Sequence, residues 1–163
     1  MAAMTDAHRP RNDTLPLDPM QCAILDLVLD LIVPPGPDGR LPGASQVGVP
    51  AHLLAWAPQL IPALAAELDR LAAESRTRYG CDFPALLAAQ REALVEAIRL
   101  VEPRFMSQLA IETVTCYYQD DRVLAALDEP LRAPYPQGYQ VLQGDLGLLG
   151  PVRRRGKMYR DAP

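Results

Sequence analysis

The chain has 163 residues, of which 49% are hydrophobic and 22% are charged, a composition typical of one globular domain rather than of a disordered chain. Its formal net charge of −4 argues against a general nucleic-acid-binding protein, because such proteins carry an excess of basic residues. Two histidines and three cysteines leave few residues for catalytic or metal-binding chemistry.

The polar N-terminal arm gives way to a helix at Asp18. Residues 1–16 have no apolar periodicity, which predicts a flexible arm. Asp18 is a favourable N-cap and Pro19 suits the first helical turn, so a helix is predicted to begin here. Apolar residues then recur at helical spacing, and Asp26 and Asp30 fall on the opposite face, where we expect them to be solvated.

The same helix contains the most apolar run of the sequence. The run from Cys22 to Val33 includes two aspartates and is shorter than the roughly 20 residues that a membrane span needs. The N-terminal arm lacks the apolar core of a secretory signal, and Pro10 separates Arg9 from Arg11, so no paired arginines are present. We therefore expect no membrane span and a cytoplasmic protein, periplasmic only if a partner's signal exports it.

Prolines and glycines divide the next part of the chain. Residues 34–50 predict a loop of about fifteen residues, which is long for a compact domain. Helix is predicted to resume at Pro50, with Leu53 and Trp56 as apolar anchors, and two further prolines should kink or restart it. Gly80 is then a suitable C-terminal stop.

Two longer helices and a short one are predicted between Asp82 and Leu127. Asp82 is predicted to cap the first, and Pro103 to open the second, in which Tyr117 faces the core. Asp121 is predicted to cap the last short turn. The apolar residues expected on the core face of the first are Phe83, Leu86, Leu87, Leu94, Ile98 and Val101. With no strand pattern, the sequence predicts an all-α bundle of four or five helices over residues 17–127.

Residues 128–163 have a different character. Prolines and glycines interrupt every apolar period, which predicts a long irregular tail. The tail still carries many large apolar side chains, and a disordered linker would be depleted of these. The charge also changes sign: residues 121–163 have seven basic and five acidic residues, whereas residues 1–120 have nine and fifteen. We therefore predict that this tail binds a partner, through Tyr135, Tyr139, Leu142, Leu148, Leu149, Arg153, Arg154, Arg155 and Tyr159.

No catalytic, cofactor or metal site is predicted. The glycines at 144, 147 and 150 lack the flanking strand, helix and Lys-Ser/Thr pair of a phosphate loop. His52 has no acidic residue or cysteine one turn further on, so we predict a capping or surface position. The basic cluster Arg153–Lys157 fits a partner's acidic groove, a solvated patch or, less simply, nucleic acid.

The three cysteines, Cys22, Cys81 and Cys116, are far apart in the sequence and show no metal-ligand spacing. An odd number argues against a closed disulfide framework and favours a reducing compartment. We predict that all three are buried small hydrophobes, since free cysteine is among the most buried residue types. A bridge from one of them to another chain is the alternative.

Several short motifs follow one another along residues 17–145. They are Leu31-Ile-Val-Pro-Pro35, Gly48-Val-Pro50, Tyr79-Gly-Cys-Asp-Phe83, a helix centred on Gln90, Phe105-Met-Ser-Gln-Leu109 and Thr113-Val-Thr-Cys-Tyr-Tyr-Gln-Asp-Asp-Arg122. This order resembles the gluconate 2-dehydrogenase subunit 3 family, the small subunits of flavin-dependent alcohol and sugar dehydrogenases of the glucose-methanol-choline oxidoreductase class.

The resemblance implies a helical accessory subunit without a cofactor of its own. Such a subunit forms a hetero-oligomer with a large subunit that holds FAD and oxidises a hydroxyl group. We therefore expect a non-catalytic small subunit that binds and stabilises this large subunit. The alternatives are a stand-alone helical binding or regulatory protein that docks an unrelated partner through its tail, and a small enzyme that uses Asp120, Asp121 or Arg122.

Overall fold

The computed structural model describes residues 15–128 and 144–155. Its secondary structure over these residues is helical, without strands, so the all-α fold predicted from the sequence is confirmed. The chain divides into two compact units, Met1–Leu131 and Arg132–Pro163. The predicted arm over residues 1–16 lies almost entirely outside the described residues, and its separate role remains a prediction.

Residues 15–128 form six α-helices. They are α1 (Pro19–Ile32), α2 (Val49–Trp56), α3 (Ile61–Tyr79), α4 (Ala88–Val101), α5 (Pro103–Tyr117) and α6 (Asp121–Ala126). Three short 3-10 turns lie between them, at Ala44–Gln46, Pro58–Leu60 and Phe83–Ala85. The turn at Pro58 separates α2 from α3, because a proline inside a helix removes one backbone hydrogen bond.

Local signals correctly placed the start of α1 and the end of α3. The Asp18 carboxylate accepts the Gln21 backbone N–H at 2.8 Å, and the Gln21 side chain accepts the Asp18 N–H at 2.9 Å. These two bonds form a capping box that satisfies free N–H groups at the helix start. Gly80 ends α3 with φ of 73°, a left-handed conformation that glycine adopts without steric cost.

The predicted start of α4 at Asp82 is wrong. The helix begins at Ala88, where the Gln90 side chain accepts the backbone N–H of Leu87 at 2.9 Å. The Asp82 carboxylate instead pairs with Nε of Arg76 at 2.7 Å. The residues predicted for the core are divided accordingly: Phe83, Leu86, Leu94 and Ile98 are buried, whereas Leu87 and Val101 are exposed.

Three further predictions about single residues need correction. Trp56, expected as an apolar anchor, is 63% exposed. Asp120 rather than Asp121 caps α6, because its carboxylate accepts the Arg122 backbone N–H at 2.9 Å. Cys22 is exposed on α1, four residues before the exposed Asp26 and so on the same helix face. Cys81 and Cys116 are partly buried against the core, and all three thiols are free.

The core lies between α1, α3, α4 and α5, and each helix contributes one apolar face to it. Burial of these faces supplies most of the stability, since each fully buried large apolar side chain contributes about 1.5–3 kcal/mol. The most deeply buried large side chains are Ile24, Leu25, Leu29, Leu53, Leu64, Leu68, Phe83, Leu94, Leu109 and Val123. Tyr117 is 3% exposed, which confirms its predicted place in the core.

The Pro/Gly-rich segment between α1 and α2, which we call the α1–α2 loop (residues 33–48), is fastened to the helices. The Tyr117 hydroxyl donates to the Pro42 carbonyl at 2.9 Å. The Arg122 guanidinium donates to the Gln46 carbonyl at 2.6 Å, and that of Arg40 to the Ala126 carbonyl at 3.0 Å. The loop is therefore an ordered part of the bundle.

Asp30 anchors the other side of this loop, so its predicted solvated position is wrong. Its carboxylate accepts both the backbone N–H and the hydroxyl of Ser45, each at 2.9 Å. Gly43 lies so close that any Cβ there would collide with this carboxylate. Asp26 is exposed as expected, and partial burial of its carboxyl, together with the negative charge of Asp30, raises its pKa.

The described part of the tail, residues 144–155, contains a 3-10 turn at Leu146–Leu149 and a short helix, α7, at Gly150–Arg154. The Asp145 carboxylate accepts the Gly147 N–H at 2.8 Å and so begins the turn. The sequence predicts no regular structure here. Pro151 is compatible with this short helix because it lies in the first turn, where proline costs no hydrogen bond.

Candidate interaction surfaces

The predicted partner-binding residues fall partly within the described tail. Leu148 is 75% exposed and Leu149 is 43% exposed. Arg153, Arg154 and Arg155 are also exposed, at and just beyond the C-terminal end of α7. Tyr135, Tyr139, Leu142 and Tyr159 lie outside the described residues. The contact of these residues with a partner remains a prediction.

A second exposed apolar surface lies on α5 and was missed from the sequence. Ile111, Val114 and Tyr118 are 57%, 38% and 54% exposed, and their spacing places them on one face of the helix, which we call the α5 stripe. This face lies opposite the buried one that contains Leu109 and Thr113. An apolar period on both faces of α5 is the signal that could have found it.

A groove of about 560 Å³ opens between the C-terminal end of α1, α4 and α5. Its apolar lining residues are Leu31, Ile32, Val95, Pro103, Met106 and Ala110. Glu92, Glu96, Arg99 and Ser107 complete its walls. The Arg99 guanidinium donates to both carboxylate oxygens of Glu96 at 2.6 Å, and this hydrogen bonding lowers the pKa of Glu96.

A small cavity of about 10 Å³ in the core shares Val95 and Met106 with the groove. Glu67 lines this cavity, and its buried Oε2 accepts no hydrogen bond within the described part of the chain. The nearest basic atom is Nη1 of Arg70, at 3.6 Å. A buried acceptor without a hydrogen bond lowers the stability of the fold by about 1–3 kcal/mol. A hydrogen-bond donor that reached Oε2 of Glu67 would recover part of this loss.

A polar contact joins α2 to the other side of α5. Nε2 of His52 lies 2.9 Å from Oε2 of Glu112, and the Gln108 side-chain amide donates to Oε1 of Glu112 at 2.8 Å. The His52 and Glu112 side chains are 10% and 16% exposed. The predicted surface position of His52 is therefore wrong, because its acidic partner comes from another helix, 60 residues further along the chain.

His52 also borders a cleft of about 290 Å³ that contains the Cys116 thiol and the Asp120 carboxylate. Burial and the nearby charge of Asp120 raise the pKa of Cys116, so the thiol stays protonated at neutral pH and is a weak nucleophile. The Asp120 carboxylate is held by the Arg122 guanidinium at 2.8 and 2.9 Å, and this hydrogen bonding lowers its pKa. The cleft therefore presents a protonated thiol, a carboxylate paired with Arg122 and an imidazole bonded to Glu112.

Over residues 15–128 and 144–155, no three His, Cys, Asp or Glu side chains are grouped so that they could hold a metal ion. Within the same residues, no helix taken singly has the length and apolar composition of a membrane span. By length and composition only, Val49–Trp56 together with Pro58–Tyr79 would suffice, as a pair bent by 103°.

The helical unit matches a known protein family. The family model described as gluconate 2-dehydrogenase subunit 3 matches residues 19–129. The chain belongs to this family. The match begins at the first residue of α1 and includes all six helices of the first unit, the groove and the α5 stripe. The gluconate 2-dehydrogenase subunit 3 resemblance inferred from the motifs is thus confirmed, and the family is one of dehydrogenase subunits. No curated protein and no solved structure matches the chain.

Proposed function

We propose that this chain is a non-catalytic small subunit that binds and stabilises the FAD-containing large subunit of an alcohol or sugar dehydrogenase. The observation that carries the proposal is the family match over residues 19–129, because the family is described as a subunit of gluconate 2-dehydrogenase. Under this proposal the chain holds no cofactor, and the flavin and the oxidation of the hydroxyl group belong to the large subunit.

The exposed apolar side chains support a role in binding another protein. Leu148 and Leu149 in the tail and the α5 stripe in the helical unit offer large apolar groups to a partner. Burial of one such side chain contributes about 1.5–3 kcal/mol. Several of them together would exceed the cost of about 2–5 kcal/mol or more for ordering a segment that folds on binding. The three exposed arginines of the tail would then meet acidic groups and speed association.

Co-expression of the tagged full-length chain with candidate flavoproteins tests the proposal. We expect one flavoprotein to co-purify in a defined ratio, and the absorbance spectrum of the complex to show bound flavin. Omission of the chain should lower the yield or the thermal stability of the flavoprotein. Co-purification of the chain with an unrelated protein instead would favour the alternative of a stand-alone regulatory protein.

The isolated full-length chain is the control. It should bind neither flavin nor nicotinamide and should oxidise no alcohol with an artificial electron acceptor. Stoichiometric FAD on the isolated chain, or turnover by it, would contradict the proposal. We also propose that the chain resides where the large subunit resides, in the cytoplasm unless it is exported together with that subunit, and cell fractionation with both proteins tagged tests this.

A further inference from the structure

We propose that the groove between α1, α4 and α5 receives an apolar segment of the dehydrogenase's large subunit, and that this segment carries an arginine or a lysine. The inference rests on the proposed function, because it states where and how the large subunit would dock. It adds a second contact surface to the tail.

The shape of the groove suits a short helical segment. Its lining residues run from Glu92 to Arg99 on α4 and from Pro103 to Ala110 on α5. Each run is eight residues of helix, so the groove is about 10 Å long, which corresponds to about two turns of a bound helix. The apolar face of an amphipathic helix lying in a hydrophobic groove is a common mode of protein recognition.

The apolar surface continues from the groove onto the α5 stripe. Ser107 and Ala110 line the groove, and Ile111 and Val114 follow them one turn further along α5. Tyr118 ends the stripe at the C-terminal end of the helix. A partner that fills the groove can therefore extend along α5 to Tyr118, over about 22 Å of helix.

The charges around the groove select a basic occupant. Arg99 is already paired with both oxygens of Glu96. Glu92 forms no ion pair within the described residues, and Oε2 of Glu67 has Nη1 of Arg70 at 3.6 Å but accepts no hydrogen bond there. Residues 15–128 as a whole contain fifteen acidic and eight basic residues, a net charge of −7. An arginine or a lysine on the bound segment complements these carboxylates, whereas the equally acidic helical unit of a second copy would be repelled.

Met106 lines both the groove and the small core cavity that Glu67 borders. Methionine is unbranched and adapts its conformation easily. Under this proposal, a long basic side chain bound in the groove displaces Met106 and approaches Oε2 of Glu67. This contact would supply the hydrogen bond that the buried oxygen lacks.

Variants of the full-length chain test the proposal in binding measurements with the flavoprotein that co-purifies with it. Ala110→Trp fills the groove, and Glu92→Arg reverses the charge at its wall. The matched controls are Ala93→Trp, at an exposed position of α4 outside the groove, and Asp26→Arg, at an exposed position of α1. We expect Ala110→Trp to raise the Kd about tenfold or more and Glu92→Arg several-fold, with each control within about twofold of the unmodified chain.

The possible outcomes separate this inference from the proposed function. If the unmodified chain binds the flavoprotein and Ala110→Trp binds equally well, the groove is not the docking site, whereas the proposed function stands. If the unmodified chain binds no flavoprotein, both are overturned. Should Ala110→Trp fail to fold by circular dichroism, Ser107→Arg on the exposed groove wall replaces it, with the same expected loss. A concentration-dependent dimer that Ser107→Arg abolishes would show that a second copy occupies the groove and would overturn the proposal.

Discussion

Phe83 in the helical unit and Leu148 in the tail both lie in short 3-10 turns, yet Phe83 is fully buried and Leu148 is 75% exposed. The turn at Phe83 packs against α1 and α3. The turn at Leu148 has the five-residue α7 as its main neighbour within the second unit. The 3-10 conformation therefore does not determine whether a side chain is buried. Phe83 is buried because long helices pack over it, and Leu148 has no long helix beside it within the described residues of its own unit. The difference therefore follows from what each turn packs against within its own unit.

Truncation after Leu127 removes the tail and leaves the helical unit, and we expect it to have the largest effect. We expect the shortened chain to keep its helical circular dichroism, because the core residues precede Leu127. We expect it to lose co-elution with the large subunit, because the exposed leucines and arginines of the tail are removed. Co-elution of the shortened chain with undiminished affinity would mean that the helices alone form the interface.

Alanine substitutions at Phe83 and Leu148 compare the contributions of the two turns to stability. Phe83→Ala should lower the free energy of unfolding by about 3–5 kcal/mol, because it creates a cavity in the core. Leu148→Ala should change it by less than about 0.5 kcal/mol, because the side chain is largely exposed. Denaturant unfolding of both full-length variants measures these values. Equal destabilisation by the two would show that Leu148 is part of a core.

A polar contact within the helical unit should have a smaller effect. His52→Ala leaves the Glu112 carboxylate with one of its two hydrogen bonds, in a place that is largely buried. We expect a loss of about 1–3 kcal/mol in the free energy of unfolding. In the double variant His52→Ala/Glu112→Gln, the free energy of unfolding should fall by less than the sum of the two single losses. The reason is that the glutamine is neutral, so no charge is left without its partner. Strict additivity would indicate that the pair makes no net contribution.

The smallest expected effect is a pH dependence at Asp120. Its pKa is lowered in the folded state by the Arg122 guanidinium, so the ionised carboxylate stabilises the fold above the pKa of the unfolded chain. This contribution is lost as the pH falls through the lowered pKa. Asp120→Asn keeps an N-cap side chain but removes the charge, and should lower the free energy of unfolding at neutral pH by less than about 1 kcal/mol.

Unfolding curves measured at several pH values check this. The difference between Asp120→Asn and the unmodified chain should shrink toward acid pH. A difference that stays constant down to pH values well below about 3.9, the ordinary pKa of aspartate, would rule out the charge as its source.

Features that depend on neighbouring residues could be predicted from the sequence, and features that depend on distant ones could not. The start of α1 at Asp18 and the end of α3 at Gly80 are set within one helical turn. The partners of His52 and Asp30 lie 60 and 15 residues away, so no local pattern indicates these contacts. Position on a helix face, as at Cys22, is decided by which helices happen to pack against it.

The candidate surfaces follow the same rule. The exposed apolar groups of the tail could be inferred because Pro and Gly exclude a long helix there. The sequence of α5 contains a second apolar period, but this pattern also fits a helix that is buried on both faces, so it does not by itself predict the exposed α5 stripe. The groove could not be predicted, since it is formed by residues of α1, α4 and α5 that are far apart in the chain.

The fastening of the α1–α2 loop affects the order in which the chain acquires its structure. Its hydrogen bonds to Tyr117, Arg122 and Ala126 join residues 75, 76 and 86 positions apart. During synthesis on the ribosome, these three hydrogen bonds therefore cannot form until the last two helices of the unit have been made. Contacts of such high sequence separation form slowly, because a long segment must be closed before any of them is gained. The α1–α2 loop is thus fastened to α5 and α6 only after both helices have formed.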